Sequence, residues 1–312
     1  MRKISNILML MLLLTGCKHG RTYFPRDLKP VEIEIQRFDE AVLNVRRESV
    51  QEDVQVLYDE YESFMPVWVE DILGIPVEDT AYLCQQLPEF LEDTLYGFAE
   101  TNRKAKEAFA DVSDIEKEIG KAFSRILYLW PEMAVPNVYF MVSGFSAGIY
   151  FFDADDDADA DENVAVGTDM YLGSDWEWYN RVVYNYQKQT MSREYIAGDV
   201  VSAYLFRNFP YTGRQNRLID NMIYRGKMMY LLSQLLDEKP WNVMGYMREQ
   251  WDWCAKNERN IWNFMMDRKD LFKTESMLIT GYLNDGPFCS EVSQECPARV
   301  GTWIGWKIAE SY

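Results

Sequence analysis

Histidine is almost missing from this chain: one residue in 312, His19, close to the N-terminus. That count excludes a Ser-His-Asp triad, a Cys-His pair and a His-x-x-x-His zinc pair. Cysteine is scarce too, with five residues and no C-x-x-C spacing, so a four-cysteine zinc site fits poorly. Base is in deficit, 32 Lys plus Arg against 50 Asp plus Glu. The formal charge of -18 argues against a nucleic-acid partner, whose phosphates would be repelled. No apolar run is long enough to be a permanent membrane span. What is present suffices for a core: hydrophobic residues make up 48% and aromatics 15%, which excludes global disorder.

The first twenty residues read as an address. Arg2 and Lys3 precede the apolar run Ile7 to Leu14, which is short and suits a signal-peptide core. Leu14-Thr15-Gly16-Cys17 follows and resembles the bacterial lipobox, in which cleavage precedes the Cys and its thiol is diacylated. The expected organisation is a lipoprotein signal peptide over 1–16, a lipidated tether over 17–30 and one domain over 31–312. Cleavage removes two bases and no acid, so the mature chain is more acidic still. Lys18 in place of Asp after the Cys points, by the same resemblance, to the outer membrane and its periplasmic face. The membrane, reached through Cys17, is thus the first expected partner. The other cysteines are Cys84, Cys254, Cys289 and Cys296. Export permits disulfides. Cys289 and Cys296, flanking SEVSQE, are the nearest pair; buried free thiols are the alternative.

Beyond the tether, Val31 to Gln36 alternates strictly and reads as a half-buried strand. Residues 39–130 read as helical. Within them Ser113 to Glu116 has the form of a capping box, and Pro131 ends the last helix. Asn137 to Val142 and Ala147 to Phe152 read as two strands of a hairpin around Ser143 to Ser146, with a third strand over 164–167. Helices are expected over 175–187, 191–208, 215–236, 241–254 and 255–268, and a short aromatic one near the C-terminus. The expected fold class is α+β, mostly helical, with a small antiparallel sheet.

Three segments could carry chemistry. Asp153 to Glu162 holds seven acids in ten residues. It begins like an EF-hand loop, but Ala158 stands where glycine is needed and Val164 where glutamate is needed. A solvated hairpin tip that attracts divalent cations loosely is the expectation. Asp175 to Tyr186 is rich in Trp and Tyr, which either pack in the core or present stacking surfaces to a sugar or peptide. Met191 to Val201 carries R-E-Y-I-A where a zinc peptidase carries H-E-x-x-H. Only Glu194, a remnant of the general base, is kept; Arg193 and Ala197 take the two ligand places.

An ordered set of motifs gives these segments a context: Arg37-Phe38-Asp39, Ser143-Gly144-Phe145, Gly167 to Gly173, Ile223 to Lys227, Trp251 to Trp262, and Cys296 to Trp306. In this order, behind a lipobox, the chain resembles the gliding-motility lipoprotein GldB family of Bacteroidota. That family is in turn similar to predicted zinc peptidases. The resemblance implies a zincin-like scaffold without its histidines, and hence no metal and no cofactor. It implies a cleft lined by Asp169, Tyr171, Arg193, Glu194, Asp199, Tyr224, Lys227, Asn257, Glu258 and Arg299. Arg193 or Lys227 would pair there with Glu194 or Glu258. The plainer alternative is that these residues hold helices together. The expected function is a catalytically inactive outer-membrane lipoprotein that binds envelope proteins within a gliding-type machine. The alternatives are a carboxylate-dependent hydrolase, peptidase or glycosidase, using Glu194 and Glu258, and a glycan- or peptide-binding lipoprotein.

Overall fold

The computed structural model describes residues 23–153 and 162–312. The signal segment, Cys17 and most of the acidic run lie outside the described residues. The chain groups into two compact units, residues 29–204 and residues 205–312 with the segment before 29.

The first unit contains the sheet and most of the helices before it. Its strands are β1 (Ile35–Gln36), β2 (Asn137–Met141), β3 (Ile149–Asp153) and β4 (Glu162–Gly167). The main helices here are α1 (Phe38–Leu43), α2 (Val50–Glu60), α3 (Thr80–Glu92), α4 (Phe98–Ala108) and α5 (Ser113–Leu129). The architecture is mostly helical α+β, as expected, but the sheet is mixed. Its order is β1-β2-β4-β3, with β1–β2 and β2–β4 parallel and only β3–β4 antiparallel. The hairpin expected from β2 to β3 is therefore a hairpin from β3 to β4. The reason lies in β4, whose apolar run is buried at every position from Asn163 to Gly167, as a central strand must be. It inserts between its two predecessors.

Two local readings need correction. The alternation over 31–36 is real, with Ile35 buried and Glu32 and Glu34 exposed, but only Ile35 and Gln36 are strand. Val31 instead donates its N–H to the Gly120 carbonyl on α5 at 3.1 Å, and Ile35 donates to Glu116 Oε1 at 3.0 Å. An edge that alternates can thus lie on a helix. Glu116 is consequently not a capping-box partner; Asp111 Oδ1 accepts the Ser113 N–H instead, at 3.0 Å. Helix α5 keeps its expected buried stripe of Ile115, Ile119, Ala122, Phe123 and Ile126 and stops before Pro131. The core over the sheet centres on Phe38, whose ring meets Phe64 and Trp68 edge-on at 4.9 and 5.0 Å. The Trp68 indole N–H donates to the Val142 carbonyl at 2.8 Å.

The expected helix over 175–187 is a series of turns with four helical residues, Tyr179–Val182. The next long helix, α6 (Ile196–Asn208), starts later than expected, after a single 3-10 turn at Arg193–Tyr195. The division between the units falls within α6.

The second unit holds α7 (Leu218–Leu236), α8 (Arg248–Asp267), α9 (Ser276–Leu283) and α10 (Val300–Glu310). One helix, α8, spans most of what the sequence divided in two. Helices α7 and α10 cross backbone to backbone. A Cβ on Gly226 would lie 2.0 Å from the Gly305 carbonyl carbon, and one on Gly305 only 1.7 Å from the Met222 carbonyl oxygen. Trp303 and Trp306 of α10 are buried, and Trp251 of α8 meets both edge-on at 5.9 and 5.7 Å.

Gly305→Ala tests this crossing. Alanine would favour the isolated helix by about 1 kcal/mol, while forcing two backbones apart costs about 1–3 kcal/mol or more. The clash is with backbone and cannot be relieved by a rotamer change. Urea unfolding should show a less stable protein; equal or greater stability would contradict the close crossing.

Candidate functional site

Of the motifs in the first unit, Ser143-Gly144-Phe145 meets the segment 167–173, whereas Asp39 is buried in an ion pair with Arg37 at 2.9 Å. Gly167 ends β4 where a Cβ would lie 2.1 Å from the Ala147 carbonyl oxygen, so only glycine fits. Thr168 Oγ1 donates to the Met141 carbonyl at 3.1 Å. The Asp169 carboxylate is buried and accepts three bonds: Ser143 N–H at 2.8 Å, Ser143 Oγ at 2.9 Å and Phe145 N–H at 2.6 Å. These donors come from the turn after β2, where Gly144 and Phe145 both have positive φ, 63° and 61°. Phe145 is strained there, and the carboxylate is what holds it. Burial raises the Asp169 pKa, partly offset by the backbone donors of Phe145 and Ser143.

The segment is fixed at its other end as well. Tyr179 Oη donates to the Asp169 carbonyl at 2.8 Å and accepts the Leu172 N–H at 2.9 Å. Tyr171 Oη donates to Asp199 Oδ2 on α6 at 2.9 Å. Burial, then the Asp199 charge, pushes the Tyr171 phenol far above its ordinary value. Leu172 bridges to Ser192, and the Gly173 N–H donates to the Met191 carbonyl at 2.9 Å.

Arg193 and Glu194 follow directly, and neither sits as a metal helix would place it. Arg193 ion-pairs with Asp114 at the start of α5, rather than with either expected glutamate. It also donates to the Ala108 and Asp111 carbonyls at 2.7 and 2.6 Å, and its guanidinium lies 5.4 Å from the centre of the Phe109 ring. The same guanidinium holds the Asp114 carboxyl below its usual range, so this pairing persists above ordinary carboxylate pKa values and is lost only as pH falls through the lowered one. Glu194 is exposed on the 3-10 turn, and Ala197, in the second ligand place, is buried.

The other expected cleft residues belong to the second unit. Tyr224 Oη donates to the Phe209 carbonyl at 2.8 Å. Asn257 Nδ2 donates back along α8 to the Trp253 carbonyl at 2.9 Å, and Glu258 is exposed. Arg299 caps α10 with a φ of 62° and pairs with Asp285 at 3.4 Å, and Lys227 is half-buried on α7. Sequence reasoning passed over Arg225, whose Nη1 donates to the Leu283 carbonyl at 2.9 Å while burial and Arg299 lower its pKa.

Cys289 and Cys296 are together but unbridged. The Cys289 N–H donates to the Cys296 carbonyl at 2.7 Å, and all four described cysteines are free thiols. The Cys289 thiol donates to the Gly281 carbonyl at 3.3 Å and the Cys296 thiol to the Pro297 carbonyl at 3.6 Å. Trp176 and Trp178 are half-buried against α4, their indole N–H groups given to Thr101 at 3.3 Å and Glu100 at 2.9 Å. Among the described residues no group of three or more His, Cys, Asp or Glu side chains could hold a metal ion, and no helix is long and apolar enough to cross a membrane.

A family model described as gliding motility protein GldB matches residues 25–312. No curated protein and no solved structure matches the chain.

The Asp169 network is testable as structure. Asp169→Asn keeps the shape but replaces one acceptor oxygen with a donor facing donors. Stability should fall by about 2–3 kcal/mol, the cost of a buried unsatisfied polar group. Chemical denaturation measures it, and a loss below about 0.5 kcal/mol, the range of ordinary surface substitutions, would deny the network its role.

Proposed function

The chain belongs to the gliding motility protein GldB family, and from that premise we propose that it is a lipid-anchored envelope protein, catalytically inactive, that serves as a binding or assembly component of a gliding-type machine. The scaffold is read as peptidase-like, with the catalytic centre given up. The observation that carries this reading is the commitment of Arg193. An H-E-x-x-H peptidase needs the first of these positions to offer a neutral imidazole to zinc. Here the side chain is a cation bonded to Asp114 and to two backbone carbonyls. A second ligand is absent because the corresponding residue is Ala197. Glu194 is exposed beside them on the 3-10 turn, and the two ligand places that would hold a zinc-bound water for it are Arg193 and Ala197. Asp169, the single carboxylate of the segment 167–173, already accepts three donors, which supports a holding role over acid-base work.

Anchorage is assigned to a diacylated Cys17, with each buried methylene contributing ~0.8 kcal/mol. The proposed place is the periplasmic face of the outer membrane. The function calls for no cofactor, and its partners are envelope proteins.

Two measurements test this. Cys17→Ser should abolish incorporation of a labelled fatty acid and move the protein out of the membrane fraction. Glu194→Gln should leave metal content, peptide and glycan turnover, and complementation of any motility defect unchanged. Stoichiometric zinc in the purified protein, with cleavage lost in Glu194→Gln, would overturn the inactive reading.

A further inference from the structure

Residues 178–193 differ from the rest of the chain. They contain no acid, three bases, four side-chain amides and four Trp or Tyr rings, within a chain of 50 acids and 32 bases. Acids border it, with Glu177 and Glu194 at its ends and Glu100 Oε2 accepting from the Trp178 indole at 2.9 Å, and Arg193 is already paired with Asp114, so Arg181 is the exposed cation that the segment adds to its amide donors.

The structure orients the polar groups of this segment in one sense. Lys188 is only 8% exposed, and among the described residues it has no carboxylate partner. Its ammonium donates to Asn180 Oδ1 and, at 2.9 Å, to Asn185 Oδ1. Gln187 Oε1 accepts the Tyr184 N–H at 2.9 Å. Three amide side chains thus have their oxygens occupied from within. What they have left to offer is N–H; Asn180 spends one such donor on the Glu177 carbonyl at 3.0 Å, while Asn185 and Gln187 keep theirs. Arg181 adds a guanidinium that lies 4.4 Å from the centre of the Trp178 ring and gives one N–H to the Leu95 carbonyl at 3.3 Å. Beside these donors stands a ring platform. Tyr184 is 71% exposed and stacks nearly parallel on Tyr186, with ring centres 5.7 Å apart and planes 7° apart.

A donor-rich edge beside an exposed ring favours a ligand with flat apolar faces and an excess of acceptors. We propose that this surface binds an acidic polysaccharide, a chain of carboxylate-bearing sugar rings. The C–H face of one ring would stack on Tyr184, and carboxylate and hydroxyl oxygens would accept from Asn185, Gln187 and Arg181. A neutral glycan presents hydroxyl donors as often as acceptors and is better served by a site containing Asp or Glu. An acidic peptide matches the charge but not the rings. The site is separate from the Arg193 clamp and does not depend on whether the scaffold descends from a peptidase.

Affinity electrophoresis of the full chain through gels containing polygalacturonate tests the proposal, with dextran and polyglutamate as the two comparison polymers. Polygalacturonate should retard the protein and the others should not. Tyr184→Ala should weaken binding about tenfold, the loss of one stacked ring. Gln187→Glu keeps the acceptor for the Tyr184 N–H but replaces the outward donor with a charge, and should abolish retardation. Both substitutions are at the surface, and an unchanged thermal melt confirms that the fold is kept. Equal retardation by dextran or polyglutamate, no retardation by polygalacturonate, or full binding in either folded variant would overturn the proposal.

Discussion

The buried carboxylate of Asp169 is the constraint around which the first unit is arranged. Taking an ion out of water costs several kcal/mol unless its lone pairs are filled. Here three donors fill them, all from a turn whose backbone would otherwise resist its conformation. The exit of β4 is thereby tied to the exit of β2. With that end fixed, Thr168, Tyr171, Leu172 and Gly173 each reach a different neighbour, and the chain arrives at Met191 and Ser192 on a set path. Arg193 is delivered to Asp114 as a consequence.

This bears on how far the molecule was legible from its sequence. Patterns that depend on a single element were readable: the stripe of α5, its end before Pro131, the alternation of 31–36, and the helical majority with a small sheet. Patterns that depend on a partner were not. The alternation does not say that the partner of Val31 is Gly120 of a helix. Two strands joined by a short Gly-containing turn resemble a hairpin until a third, more apolar strand competes for the place between them. The Ser113–Glu116 spacing fits a capping box, yet Glu116 is drawn to the N–H of Ile35, 81 residues away.

The candidate site shows the same division. Asp169 and Tyr171 were legible from the motif around 167–173 and Asp199 from the segment 191–201, and Tyr171 is bonded to Asp199. Arg193 was legible as a cation in the segment R-E-Y-I-A. Its anion was not, because Asp114 lies 79 residues earlier and no spacing rule links the two. Tyr224, Lys227, Asn257, Glu258 and Arg299 share motifs of the same family but lie in the other compact unit. A motif list gathers residues by order along the chain, whereas a site gathers them by geometry.

Arg193 has only donors, so it turns to whatever acceptors are near, here two carbonyls and a carboxylate. A similar logic holds at 178–193, where Lys188 and the Tyr184 N–H engage the amide oxygens of Asn180, Asn185 and Gln187 and leave N–H groups of Asn185 and Gln187 on offer. Elsewhere the acidic surface repels anions, but at physiological salt its field fades over about 8 Å. The proposed site at Tyr184 and Arg181 uses that short range, since an anion there meets the nearby donors first while the net charge of -18 weighs against it elsewhere.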